Sequence, residues 1–419
     1  MDKIVIEGKR PLRGKIKVSG SKNAALPILA ATLLTKGKSE IRNLPDLADI
    51  KTMGRLLKDL GLKFQFWGSK AKIHANGYSN HVAAYELVKT MRASVLVLGP
   101  LVARLGRAKV SLPGGCAIGA RPIGLHLKGL EAMGAKIKVE HGYVEAEAKR
   151  LHGATIHFDT VTVTGTENLM MAAALAEGTS VLENSAREPE VVDLANFLNA
   201  MGARVEGAGS STIKIEGVEQ LQGGEYEVMP DRIEAGTFLI AGCLPGSQIL
   251  IQGIDTALVD ALVLKLQEVG AKVETRREGL QITAPKKLKP VDISTAPYPG
   301  FATDLQAQMM ALMTISEGSS VIRENIFENR FMHVGELVRM GAEIKLEGNS
   351  AVIRGVKNLS GAPIMATDLR ASASLVIAGL AAEGITEISR VYHIDRGYEK
   401  IEKKFRKLGA HVKRVKIKY

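Results

Sequence analysis

The sequence predicts an α/β protein built from six repeated units of about 70 residues, three in each of two domains. Three observations predict it: a recurring glycine, a fixed helix–strand pattern around that glycine, and helices too apolar to be left on a surface. The glycine follows an apolar helical run and precedes a strand-like run in Leu60-Gly61-Leu62-Lys63, Met133-Gly134-Ala135-Lys136 and Met201-Gly202-Ala203-Arg204. It returns in Val269-Gly270-Ala271-Lys272, Met340-Gly341-Ala342-Glu343 and Leu408-Gly409-Ala410-His411.

Each unit opens with an apolar, Ala-rich helix that ends at a second glycine, as in TENLMMAAALAEG and RASASLVIAGLAAEG. A short strand follows (TSVLEN, SSVIRE), then a loop, then an amphipathic helix such as EVVDLANFLNAMG, whose apolar residues recur at helical spacing. Two strands with a Gly/Ser turn close the unit, as in ARVEGAGSSTIKIEG. Because the first helix is apolar nearly all round, it has to be buried, which a linear solenoid does not allow. Two globular halves, each with three buried helices inside sheets, meet that demand. The division falls near Glu227 to Pro230, giving one domain of residues 21–229 and another of residues 1–20 plus 230–419. The opening strand is then free to join the C-terminal half.

Composition narrows the function classes. A chain of 419 residues with 46% hydrophobic and 24% charged residues is globular and too long for one core. Its net charge of +12 attracts anions. The basic residues are dispersed, no run of five or six like charges occurs, and aromatics are only 4%, so nucleic acid fits less well than small polyanionic substrates. Two cysteines, Cys116 and Cys243, are too few for a zinc knuckle and too far apart for a disulfide scaffold, and no metal site is expected. The opening MDKIVIEGKR has no signal-peptide core, and no stretch reaches ~18 apolar residues, so a cytoplasmic protein that does not enter a membrane is expected.

A second register bears on function. Fourteen residues before the helix-ending glycines (Gly37, Gly106, Gly178, Gly246, Gly318, Gly384) stand Asn23, Arg92, Thr164, Arg232, Asp304 and Arg370. All are polar, at positions where a helix begins and its unpaired N–H groups collect anions. Ordinary capping accounts for Asn23, Thr164 and Asp304. Arg is disfavoured at a helix start, so Arg92, Arg232 and Arg370 are expected to meet a ligand or an ion-pair partner. The turn Ser19-Gly20-Ser21-Lys22-Asn23 puts a lysine at such a mouth, either cradling a phosphate or merely solvated. The segment from Leu112 to Pro122, LPGGCAIGARP, sets Cys116 among glycines with Arg121 five residues on, as a reactive thiolate requires. Cys243, in LIAGCLPG, reads as buried and inert. Arg121 and Arg396 each lie thirteen residues before their repeat glycine, hence in matching loops of the two halves, where they can clamp one anion. Glu328-Asn329-Arg330 and Arg187-Glu188-Pro189-Glu190 fill that loop in other units, and surface ion pairing alone would account for Glu190.

LPGGCAIGARPIGLH, TAPYPGFATDLQAQ, ENRFMHVGEL, ATDLRASASLV and YHIDRGYE resemble the UDP-N-acetylglucosamine 1-carboxyvinyltransferases, the enolpyruvyl transferases that open bacterial peptidoglycan synthesis, and the resemblance runs from GSKNAALP to the last repeat. It implies an inside-out α/β barrel in each domain, no cofactor, and two small-molecule substrates, phosphoenolpyruvate and UDP-N-acetylglucosamine. It further implies that Lys22, Asn23, Arg121, Arg330, Arg370 and Arg396 bind phosphoenolpyruvate. Lys22, Arg121 and Arg396 would hold the phosphate, and Arg330 and Arg370 would face the carboxylate. Arg92, Arg121, Pro122, Ile123, Gly124, Leu125, Asp304 and Ile326 would meet the nucleotide sugar. Asp304 would act as base at the sugar hydroxyl and Cys116 as acid at C3, with Lys22 and Arg396 also catalytic. Cys116 would be alkylated by fosfomycin. Asp304, at a helix start beside cations, is expected to be permanently ionised, and without substrate the clamp cations are expected to repel one another. Asp159-Thr160-Val161 departs from relatives that carry Lys in place of Thr160, which bears on one diphosphate contact. The sister enzymes acting on shikimate 3-phosphate lack the cysteine loop, and a basic repeat protein binding nucleic acid would leave Asp304 and Cys116 without roles.

Overall fold

A computed structural model describes residues 2–89, 91–112 and 123–416. The chain divides into two compact units, one running from Gly20 to Met229 and the other made of the residues before Gly20 and from Pro230 on. The fold is the inside-out α/β barrel expected, with three repeats in each unit and helices where an ordinary barrel has strands.

Three repeats of the first unit contribute α1 (Lys22–Ala31), α2 (Ala48–Asp59), the short α3 (Tyr85–Val88), α4 (Leu98–Leu105), α5 (Gly124–Ala132), α6 (Val163–Ala173) and α7 (Pro189–Ala200). The second unit contributes α8 (Arg232–Ala241), α9 (Asp260–Val269), α10 (Gln306–Met313), α11 (Val334–Arg339), α12 (Ala371–Ala381) and α13 (Ile401–Lys407). Every residue of α10 and α12 is buried; α1 is buried except at Asn23 and α8 except at Arg232. These helices carry no polar face, so they form the centre of two separate hydrophobic clusters, one per unit.

Three four-stranded sheets surround each set of buried helices, all on one plan. In the first, Lys38–Arg42 pairs in parallel with Glu225–Glu227 on one side and antiparallel with Lys70–His74 on the other, which pairs antiparallel with Lys63–Trp67. The strands alternate buried and exposed residues, since one face packs on the helices and one meets water. In the sixth repeat's sheet one strand comes from the start of the chain: Asp2–Glu7 lies antiparallel to both Ile385–Ser389 and His411–Lys416. Arg13–Lys17 then runs parallel to Gln248–Gln252 as the edge of the fourth repeat's sheet.

The polar register falls at the mouths of the buried helices, with a correction. Asn23 and Thr164 lie inside α1 and α6, and the side chains that cap these helices belong to Ser21 and Thr162, which accept from Ala24 N–H and Gly165 N–H. Asp231 caps α8 through Ile233 and Glu234, and Asp368 accepts from the N–H groups of Arg370 and Ala371. Capping therefore does not explain Asn23, Thr164 or Asp304: a cap side chain must sit outside the helix to reach back to N2 or N3. Arg92 and Asp304 lie instead on 3-10 turns, Arg92–Val97 and Thr303–Leu305, that lead into α4 and α10.

Candidate active site

In the second unit the mouths of three buried helices bring Asp231, Asp304 and Arg370 together. Arg370 is 2% exposed and Arg330 3%, although guanidinium groups are costly to bury. Asp304 resolves that cost. Its Oδ1 accepts from Arg330 Nη2 at 2.7 Å and its Oδ2 from Arg370 Nε at 3.3 Å. Arg370 Nη1 donates to Gly397 O at 3.3 Å, and Nη2 stands 4.0 Å from Asp231 Oδ2 without a hydrogen bond among the described residues. Burial disfavours the charge on Arg370, but Asp231, Tyr398 and Asp304 outweigh it and hold its pKa above the ordinary arginine value. Within this pair of guanidiniums Asp304 offsets the mutual repulsion.

A neutral network supports the charged one. Tyr398 lies under Arg370, its ring 5.4 Å from the guanidinium carbon. Gln308 Nε2 donates to Tyr398 Oη at 3.1 Å, to Thr237 Oγ1 at 3.2 Å and to the carbonyl of Asp304 at 2.9 Å. Glu324, 4% exposed, ties the Asp304 turn to the following loop. It accepts from Thr303 Oγ1 at 2.9 Å, Thr295 Oγ1 at 3.0 Å and Ile326 N–H at 2.8 Å. Arg396 ends a 3-10 turn, Val391–Arg396, and is half-buried. Behind this site Lys404 Nζ reaches Glu234 Oε1 at 2.6 Å and Ser19 Oγ at 2.7 Å, fixing the start of α8.

In the first unit Lys22 is not solvated. It is 5% exposed and its Nζ lies 2.7 Å from Asp49 Oδ2 in the first turn of α2, so its ammonium is a buried partner rather than a surface charge. Asn23 follows it, half-buried. Ile123 is buried, Gly124 is exposed and Leu125 is half-buried at the start of α5. Arg92 acts electrostatically on His126, in the first turn of α5. Glu190 is buried too, so surface ion pairing does not describe it. Beside it Glu167, on α6, is raised well above the usual carboxylate range by burial first and then by Glu190 and Glu188. Thr160 stands exposed. Cys116, Arg121 and Pro122 lie outside the described residues. Cys243 is buried, and burial pushes its thiol well above its ordinary pKa.

Asp231, Asp49, Glu324, Tyr398 and His126 were missed by sequence reasoning. Asp231 had a signal, an acidic residue immediately before the helix-start Arg232. The others pair with residues distant in sequence and had none. Among the described residues no group of three or more His, Cys, Asp or Glu side chains could hold a metal ion, and no helix is long and apolar enough to cross a membrane.

The family model for EPSP synthase (3-phosphoshikimate 1-carboxyvinyltransferase) matches residues 6–405. The UDP-N-acetylglucosamine 1-carboxyvinyltransferase of Geobacter metallireducens is 60% identical over 416 residues, covering 99% of this chain and 100% of the relative. That of Myxococcus xanthus is 58% identical, with 99% and 100% covered. Among solved structures, the enolpyruvyl transferase NikO of Streptomyces tendae superposes with a TM-score of 0.89 at 26% identity, over 99% of this chain and 98% of that one. EPSP synthase of Acinetobacter baumannii shares the fold at a TM-score of 0.75 and 18% identity, over 99% and 100%.

Proposed function

The chain belongs to the enolpyruvyl transferase family, among the UDP-N-acetylglucosamine 1-carboxyvinyltransferases, and from that premise we propose which of its residues carry the reaction. The protein transfers the enolpyruvyl group of phosphoenolpyruvate to the 3-hydroxyl of UDP-N-acetylglucosamine and releases phosphate. The hydroxyl oxygen bonds to C2 while C3 takes a proton, giving a tetrahedral ketal. Loss of a proton from C3 and of phosphate from C2 restores the double bond. This is the first committed step of peptidoglycan synthesis.

In this reading Arg330 and Arg370 receive the carboxylate of phosphoenolpyruvate. Each guanidinium has five N–H donors, and Asp304 takes one from each, so the pair is oriented before substrate arrives. Lys22, Arg121 and Arg396 hold the phosphate, with Asn23 beside them. Asp304 orients the sugar hydroxyl and accepts its proton as the C–O bond forms. Cys116 donates the proton to C3. Arg92, the residues from Arg121 to Leu125, and Ile326 meet the nucleotide sugar. The substrates are small molecules, and in this reading the protein is cytoplasmic, with neither nucleic acid nor membrane as partner.

The observation that carries this reading is full-length identity of 60% to relatives named for this reaction, against 18% to EPSP synthase of known structure. The test is the acceptor. With phosphoenolpyruvate, the purified protein should release phosphate when UDP-N-acetylglucosamine is present and yield its enolpyruvyl ether by mass spectrometry. Release with shikimate 3-phosphate in its place would overturn the reading.

A further inference from the structure

Asn168, on α6, has its amide orientation set by a neighbour. The backbone N–H of Gly99, on α4, donates to its Oδ1 at 2.7 Å, and a backbone N–H is only ever a donor. Nδ2 therefore takes the other side, where it donates to Nδ1 of His126 at 2.9 Å and reaches Val95 O at 3.4 Å. Nδ1 must then accept, which leaves the ring proton on Nε2, 3.4 Å from Thr164 Oγ1. A second proton would set N–H against N–H inside the protein. Burial, and after it the charge of Arg92, act in the same direction and hold the imidazole down to about 4. Among the described residues Arg92 is the charged group that acts on this ring. Gly99 makes the arrangement possible, because a Cβ there would lie 2.4 Å from both oxygens of Asn168.

We infer that His126, locked by Asn168 as its Nε2–H tautomer, is a positioning residue for binding of the nucleotide sugar. Its ring joins α5 to α6, and through Asn168 to α4 and the Arg92–Val97 turn. The first turn of α5 is built on Ile123, whose carbonyl accepts from His126 N–H at 2.9 Å and Leu127 N–H at 3.2 Å. Fixing the ring thus fixes Ile123, Gly124 and Leu125 against the turn that carries Arg92. The inference rests on the reading that these residues meet UDP-N-acetylglucosamine.

The test compares His126→Phe and Arg92→Ala with the parent, and reads the ring itself by ¹⁵N NMR on the parent enzyme. His126→Phe keeps a ring of similar bulk and removes both nitrogens. KM for UDP-N-acetylglucosamine should rise about tenfold, as for a small misplacement of binding groups, with KM for phosphoenolpyruvate within about twofold of the parent. In the parent, Nδ1 should stay unprotonated from about pH 5.5 to about pH 8. Protonation at Nδ1, or titration near the ordinary histidine value, would overturn the inference even if the variant failed to fold. So would a raised KM for the nucleotide sugar in Arg92→Ala beside an unchanged one in His126→Phe, or an equal rise for both substrates in His126→Phe. Unchanged values in both variants would overturn the reading of the nucleotide-sugar site and this inference with it.

Discussion

Oδ1 of Asp304 accepts a hydrogen bond from Nη2 of Arg330 at 2.7 Å, while Oδ2 of the same carboxylate faces Nε of Arg370 at 3.3 Å. One side chain thereby holds two buried guanidiniums and, in the proposed mechanism, receives the proton of the attacking hydroxyl. Asp304→Asn keeps the shape and part of the hydrogen bonding but cannot take that proton. Its turnover number should fall at least ~100-fold, the low end of general-base effects. Calorimetric binding of UDP-N-acetylglucosamine should change far less. Turnover within a few-fold of the parent would reduce Asp304 to an ion-pair partner of the arginines.

Asp231 has two roles that one substitution separates. It caps α8 and lends its charge to the buried Arg370. Asn caps as well as Asp, so Asp231→Asn removes only the charge. The expected cost is about 1–3 kcal/mol of unfolding free energy, as for a buried charged group that loses part of its compensation. Urea unfolding measures it, and a change within error would show that Asp304 alone compensates Arg370.

Cys243 is buried with its thiol pushed away from the reactive thiolate, whereas Cys116 lies in the glycine-rich LPGGCAIGARP segment. Peptide mapping after fosfomycin treatment should find the adduct on Cys116 alone. Label on Cys243 would contradict both assignments.

Glu167 gives the fold a pH dependence of unusual sign. Burial, then Glu190 and Glu188, raise its folded pKa well above 4.5, so across that window the folded state binds more protons than the unfolded one. Stability that is full below the unfolded value is lost as pH rises toward the folded one. Glu167→Gln removes the titration. Between about pH 5 and about pH 8 the parent should lose stability relative to this variant, and parallel curves in thermal unfolding would show Glu167 to be unperturbed.

The repeats were legible because each buried helix must be apolar all round and a glycine of positive φ recurs in the turn after it; α4 alone of these six helices ends at that glycine, Gly106, and the others stop a few residues earlier. The register that found Arg92, Asp304 and Arg370 worked for the same reason: each helix mouth lies a fixed distance from its glycine. It misplaced the caps, since Ser21, Thr162, Asp231 and Asp368 sit just upstream of the positions counted. Lys22 could not be known to be buried until α2 brought Asp49 against it. His126 and Asn168 are 42 residues apart on helices of different repeats, and no local pattern links them.

Addition at C2 with protonation of C3 is the claim on which every residue role depends. A methyl group formed by that protonation loses any one of its hydrogens on elimination. Turnover of phosphoenolpyruvate and UDP-N-acetylglucosamine in D2O, followed by mass spectrometry, should therefore give an enolpyruvyl product carrying deuterium at C3. Product formed with no deuterium at C3 would contradict the account.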